Sequence, residues 1–283
     1  MHLCSSLALP LLLSAPSAHA WGVVGHATIA TIANHYLTAA GKTYVSSKLG
    51  AGVTMASVAS WADNYRYTTD GRFSAPYHFI DAEDTPPSSC SVNLARDCGA
   101  TGCVVSAITN YTQRVQDGRL SVEHTKEAME FLIHFLGDIT QPLHDEAEAV
   151  GGTDISVTWD GTPTNLHACW DTQMVEKAAG GSNSTATLTA FSNKLIAMID
   201  TGSYSSQKAG WISCDNVATA SQCALSWAQD ANALNCQYVL KANETGMELD
   251  GSYYTGALPY IELQIAKGGY RLGAWINALA AAA

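Results

Sequence analysis

Ala128-Met129-Glu130-Phe131-Leu132-Ile133-His134-Phe135-Leu136-Gly137-Asp138-Ile139-Thr140-Gln141-Pro142-Leu143-His144 is the stretch on which the reading of this chain turns. Ala128, Phe131, Leu132, Phe135 and Leu136 recur at three- and four-residue steps, the apolar face of a helix that Pro142 limits. Within it stand His134 and, four positions on, Asp138. At about 3.6 residues per turn, partners four apart point the same way, so the pair can offer two ligands to one site. A lone pair of this kind is usually a helix-surface hydrogen bond. Here it lies in an apolar segment, where unpartnered polar side chains are costly.

Outward from that stretch the pattern repeats. His167-x-x-x-Asp171 takes the same step, and His144 follows the proline. Asp63 lies in Ser60-Trp61-Ala62-Asp63-Asn64-Tyr65-Arg66, and His78 in Tyr77-His78-Phe79-Ile80-Asp81. Imidazole and carboxylate without thiolate suit catalytic rather than structural zinc. His35 is nine residues from His26, about half a turn round the same helix, and reads as structural; His124 matches no spacing.

Residues 1–20 carry the apolar run Leu7 to Leu13, too short for a membrane span, and end in Ala18-His19-Ala20. That is the form of a cleaved secretory signal peptide. Cleavage would make Trp21 the first residue, its free α-amine five positions before His26. Such an amine, with an ordinary pKa of about 7.7–8.0, can give up its proton to a divalent cation, and its own carbonyl oxygen can join the chelate. The alternative is a Trp21 that only anchors the terminus in the core.

Helical periodicity dominates the rest. Ile29, Ile32, Ala33, Tyr36 and Leu37 form one face near the new terminus. Towards the C-terminus Pro259 stands where a helix could begin, and Ile261, Ile265, Leu272, Ile276 and Leu279 follow at helical spacing. Gly268-Gly269 weakens that helix but admits a close neighbour. Only Ile155, Val157 and Trp159 alternate like a strand, ahead of Asp160-Gly161, which predicts a small hairpin. Polar stretches at 81–104 and 202–223 read as stapled loops. With no repeat and no linker, residues 21–283 are expected to form a single, mainly α-helical domain.

All 14 Lys+Arg and all 25 Asp+Glu follow Ala20, so the net charge of −11 survives cleavage. A chain this acidic is a poor candidate for coating DNA through basic side chains; if it handles phosphates, bound cations must supply the positive charge. Cys4 would leave with residues 1–20, and seven cysteines remain, an odd number. The first-choice pairings are Cys98 with Cys103 and Cys214 with Cys223 across polar loops, and Cys90 with Cys236 as a long-range staple, leaving Cys169 free. Asn110-Tyr111-Thr112, Asn183-Ser184-Thr185 and Asn243-Glu244-Thr245 permit glycosylation in a eukaryotic source.

Taken together, Trp21-Gly22-x-x-Gly25-His26, Trp61-Ala62-Asp63-x-x-Arg66, His78-Phe79, Gly137-Asp138-Ile139-Thr140-Gln141-Pro142-Leu143-His144, Asn165-Leu166-His167-x-x-Trp170-Asp171 and Gln264-Ile265-Ala266-Lys267-Gly268-Gly269-x-Arg271-Leu272 resemble the S1/P1 nuclease family over nearly the whole chain after residue 20. The resemblance implies a secreted, monomeric zinc enzyme with no membrane partner. It would cut single-stranded DNA and RNA to 5′-phosphorylated products and remove phosphate from 3′-nucleotides. Three Zn²⁺ are implied: one on Asp63, His78, His134 and a bridging Asp138; one on the Trp21 amine and carbonyl, His26 and the other oxygen of Asp138; one on His144, His167 and Asp171. Hydroxide from that cluster would attack phosphorus, Arg66 would stabilise charge on the phosphoryl group and Asp63 would orient the nucleophile. Phe79 is expected to stack an unpaired base, and Glu83 and Asp84 to meet its edge.

The alternative is a zinc-dependent phospholipase C of similar fold. Against it stand Asp171, where that group has Glu, and the Trp-Gly-x-x-Gly-His terminus. A secreted metal-binding protein without turnover is a further rival, opposed by Arg66 beside the ligands.

Overall fold

Helical spacing becomes helix wherever an apolar face has something to cover. The computed structural model describes residues 21–283, so the expected signal peptide lies outside it. The main helices are α1 (Gly22–Tyr36), α2 (Ala39–Leu49), α3 (Val104–Arg114), α4 (Val122–Asp138), α5 (Thr185–Asp200), α6 (Ala220–Leu234) and α7 (Ser252–Ala282). One antiparallel hairpin joins β1 (Ser156–Trp159) to β2 (Thr162–Asn165). The architecture is mainly α-helical, as the periodicity predicts. Among the described residues no helix is long and apolar enough to cross a membrane.

α1 carries more than one apolar face. From Val24 to Ala30 every residue is buried, and Ile32 and Ala33 follow, so it runs through the core rather than over it. It packs most extensively against α7, where Gly268-Gly269 lets the two backbones close up: a Cβ on Gly269 would lie 2.5 Å from Ile32 Cβ. α4 is capped by the Ser121 hydroxyl, which accepts from His124 N, and is buried without a break from Ala128 to Asp138.

Pro259 does not begin α7; the helix starts seven residues earlier, at Ser252. An interior proline costs about 3 kcal/mol. The turns before it recover that through burial: Tyr253, Tyr254 and Ala257 are all in the core, and the Tyr253 hydroxyl accepts from Trp170 Nε1 at 3.1 Å. The hairpin falls where alternation places it, one residue late, because Ile155 precedes the first ladder residue. Its two-residue turn, Asp160-Gly161, has φ of 48° and 70°, the left-handed pair that matches strand twist.

Disulfides join Cys90 to Cys236, Cys98 to Cys103 and Cys214 to Cys223, and Cys169 is free and buried. The bond between Cys90 and Cys236 ties the loop after residue 81 to the turn Asn235–Val239 that follows α6.

Candidate metal centre

Seven local structures deliver their side chains to one end of α1 and α4. His26 comes from the first turns of α1, and His134 and Asp138 from the last turns of α4. Asp63 lies on the short helix Trp61–Tyr65, and His78 ends the 3-10 turn Arg72–His78. His144 belongs to the 3-10 turn Pro142–Asp145. β2 runs straight into the helix that carries His167, capped by Asn165, and a π-helical turn over Cys169–Gln173 carries Asp171. Such turns are frequent at functional sites.

In the inner cluster His134 Nε2 lies 3.0 Å from His78 Nδ1, 3.1 Å from Asp138 Oδ2 and 3.6 Å from Asp63 Oδ1. His78 Nδ1 is 3.0 Å from Asp138 Oδ2 and 3.9 Å from Asp63 Oδ1. Four donors about 2.0–2.1 Å from a tetrahedral zinc would stand ~3.3 Å apart, a spacing that these separations bracket. The other oxygen of Asp138, Oδ1, is 3.1 Å from His26 Nε2, yet neither atom makes a hydrogen bond. The His26 and His134 rings stack at 4.0 Å. Asp138 therefore stands between two sets of donors, one oxygen to each. A Cβ on Gly137 would lie 2.7 Å from His26 Nδ1, so glycine is what lets α4 approach this ring.

In the outer cluster His167 Nε2 is 3.0 Å from Asp171 Oδ2, and His144 Nε2 is 3.8 Å from Asp171 Oδ1. Gln141 Nε2 donates to Asp171 Oδ1 at 2.6 Å.

Tautomers are set by the backbone. His134 Nδ1 faces Ala59 O, His144 Nδ1 faces His78 O and His167 Nδ1 faces Gly151 O, each at 2.7 Å. A carbonyl only accepts, so each Nδ1 must carry a proton, and in the neutral ring each Nε2 aims a lone pair into its cluster. Gly151 holds its carbonyl there from φ 57°, where a Cβ would lie 2.6 Å from Leu143 O.

These groups fit a metal and do not fully satisfy one another. Buried His26 Nδ1, His144 Nε2, Asp138 Oδ1 and Asp171 Oδ2 have no hydrogen-bond partner, which native interiors rarely tolerate. Burial lowers the His78 imidazole to about 4. His134 is lowered by burial too, but the charges of Asp138 and Asp63 outweigh that and raise it to about 9. Neighbouring rings are thus driven apart, one shedding and one keeping a proton. His26/His134/Asp138, Asp63/His78/His134 and His144/His167/Asp171 each bring their donor atoms within 4.8 Å of one another.

Trp21 is fully buried, and its indole Nε1 donates to Thr140 Oγ1 at 3.0 Å. The Trp21 carbonyl accepts from His26 N at 3.2 Å. His35 and His124 are exposed and outside the site.

A cavity of about 210 Å³ opens beside the outer cluster, bordered by His144, His167, Arg66 and Phe79. Phe79 is half-buried, in extended backbone, between the inward-facing His78 and Ile80. The carboxylates that border the cavity are Asp81 and Glu146, not Glu83 or Asp84. Glu83 is exposed and borders no part of it, and Asp84 Oδ2 is taken up by Ser91 N and Asn232 Nδ2. The signal for Asp81 was present as period-two alternation: Ile80 and Ala82 are buried, which turns Phe79 and Asp81 to the same side. Tyr67 and Val150 also line the cavity, and no spacing marks them.

Residues 21–281 match the S1/P1 Nuclease family model. The chain is 50% identical to Nuclease P1 of Penicillium citrinum over 263 residues, covering 91% of this chain and 97% of that protein. It is 43% identical to Nuclease S1 of Aspergillus oryzae over 267 residues, with 93% and 92% covered. Endonuclease 4 of Arabidopsis thaliana is similar at 33% identity, with 91% and 88% covered. Among solved structures, an alpha-toxin of Clostridium perfringens aligns over 94% of this chain and 64% of its own, at 13% identity and a TM-score of 0.42.

Proposed function

Since the chain belongs to the S1/P1 nuclease family and is therefore a hydrolytic nuclease, we propose that it is a zinc-dependent phosphodiesterase. It hydrolyses single-stranded DNA and RNA to 5′-phosphorylated products and removes phosphate from 3′-nucleotides. The observation that carries this reading is the junction of two features: a nest of buried donors with lone pairs turned inward, and an open cavity where Arg66 and Phe79 face the same donors.

Asp63, His78, His134 and Asp138 would hold one Zn²⁺, and His144, His167 and Asp171 another. The third would take His26, the second oxygen of Asp138 and the Trp21 amine, once residues 1–20 are removed during secretion. Three disulfides and a buried free thiol suit that oxidising route. Zinc bound there supplies a Lewis acid and a water acidic enough to ionise near neutral pH, and leaves a local charge of about +3 against Asp63, Asp138 and Asp171. That charge lets an acidic chain take a polyanion.

The residues do the rest. Arg66 donates to the phosphoryl oxygens as negative charge grows on them. Asp63 orients the attacking water and accepts its proton. Phe79 stacks the base of the nucleoside that departs with the 3′-hydroxyl, beside His144 and His167; only an unpaired base can enter, which is the origin of single-strand preference. No side-chain nucleophile is needed, so no covalent intermediate forms.

Incubation with single-stranded DNA, a 3′-mononucleotide and phosphatidylcholine, each with and without chelator, tests the reading. Chelator-sensitive release of 5′-phosphorylated fragments and of inorganic phosphate is the expected result. Turnover of the lipid alone would make the protein a phospholipase.

A further inference from the structure

Gln141 is fully buried at the head of the turn that carries His144, and both ends of its side-chain amide are engaged. Oε1 accepts from Leu143 N at 2.7 Å. A backbone N–H only donates, so the amide's Nε2 must point the other way, and there it donates to Asp171 Oδ1 at 2.6 Å. Asp171 Oδ2 has no hydrogen-bond partner, so this is the one hydrogen bond that the carboxylate makes among the described residues.

The turn does not rest on Gln141 alone. Gln264 Nε2, on α7, donates to Thr140 O at 2.9 Å, while Asn235 and Asn232 donate to Pro142 O and Asp145 O, each at 2.8 Å. Three other buried amides thus hold the backbone around His144, whereas only Gln141 sets the Asp171 carboxylate. We propose that Gln141 is the positioning residue for the outer Zn²⁺. It acts through Asp171, engaging Oδ1 so that Oδ2 stays 3.0 Å from His167 Nε2 before any ion arrives. The inference rests on the zinc reading above and deepens it. A carboxylate left to rotate would have to be ordered as the ion binds, and that cost weakens binding. Gln141 lies three residues after Asp138 and three before His144, so one short segment carries an inner ligand, the orienter of an outer ligand and an outer ligand itself.

Zinc titration against a chromophoric competing chelator, with metal analysis, tests this on the wild type, Gln141→Leu, Asp171→Ala and the double variant. Gln141→Leu should weaken one zinc of the three roughly 10- to 100-fold, the scale for losing a group that orients a metal ligand, and leave the other two unchanged. In the Asp171→Ala background the same substitution should cost almost nothing, because the group it acts through is gone. An equal cost in both backgrounds overturns the proposal, since Gln141 would then brace the turn and His144 instead. Unchanged affinity in Gln141→Leu, or a loss shared by all three ions, does so too. Gln141→Met, closer in shape, takes the place of Gln141→Leu if that variant does not fold. A crystal structure of the zinc-loaded wild type gives a check that needs no variant: the bond from Gln141 Nε2 to Asp171 Oδ1 should persist, and its loss overturns the assignment. A wild type that binds no zinc removes the metal reading itself, and this one with it.

Discussion

The inner and outer clusters are made from the same residue types and the same His-x-x-x-Asp step, but they sit at different depths. His78, His134 and Asp138 have no exposure at all, whereas His167 keeps 8% and forms part of the cavity wall. The inner set gathers α1, the Trp61–Tyr65 helix, the turn ending at His78 and α4 into one knot. The outer set draws on the turn after α4 and the helix after β2. Depth therefore separates two duties. On the proposed function, inner donors would hold distant segments together through their ions, and outer donors would meet the substrate.

Chelation should have the largest effect, because it empties both. Turnover should vanish, and the melting temperature should fall, since ions that bind the folded chain stabilise it by mass action. An apo-protein, checked by metal analysis, with an unchanged melting curve would show that the knot holds itself without ions.

Next is a chain that keeps a few residues before Trp21. An amide nitrogen is no ligand at ordinary pH, so this form should lose one zinc and most of its activity while the outer set stays loaded. Three zincs and full turnover in that form would leave Trp21 a core anchor only.

The two substrate residues come third and fourth. Arg66→Ala should lower kcat by roughly 10²–10³, the scale for one donor to charge that grows in the transition state. Phe79→Ala should mainly raise KM, by ~1–3 kcal/mol for one stacked base, on 3′-mononucleotides and polymers alike. If KM stays put for every substrate, Phe79 belongs to the core.

Smallest is a matched pair of glycine substitutions. Gly137→Ala pushes a methyl against His26, and Gly151→Ala strains the carbonyl that orients His167. Each should destabilise by about 1–3 kcal/mol. Zinc content separates them: the first should weaken an inner ion, the second the outer one. An identical loss from both variants would erase the distinction of depth.

Much of this was legible beforehand. Helix faces and the hairpin follow from periodicity, and the pairs His134/Asp138 and His167/Asp171 from local spacing; that Asp63, His78, His26 and His144 lie beside them did not follow from spacing. Pro259 misled because its local cost is overridden by Tyr253 and Tyr254, whose burial depends on other elements. Glu83 misled because resemblance carries a residue type forward but not the side of the chain it faces; the alternation around Ile80 and Ala82 pointed to Asp81 instead. Tyr67 carried no signal, since nothing in its neighbourhood distinguishes an exposed tyrosine from one beside a cavity.

By itself the sequence determined the inventory of donors and their pairing at i and i+4, because helix geometry is local and needs no partner. Only the tertiary structure decided where the lone pairs point and that Asp138 is shared between two sets. The acceptors that fix His134, His144 and His167 are carbonyls 75, 66 and 16 residues away. The oxygens of one carboxylate can serve two donor sets only after α1 and α4 have closed on each other across Gly137.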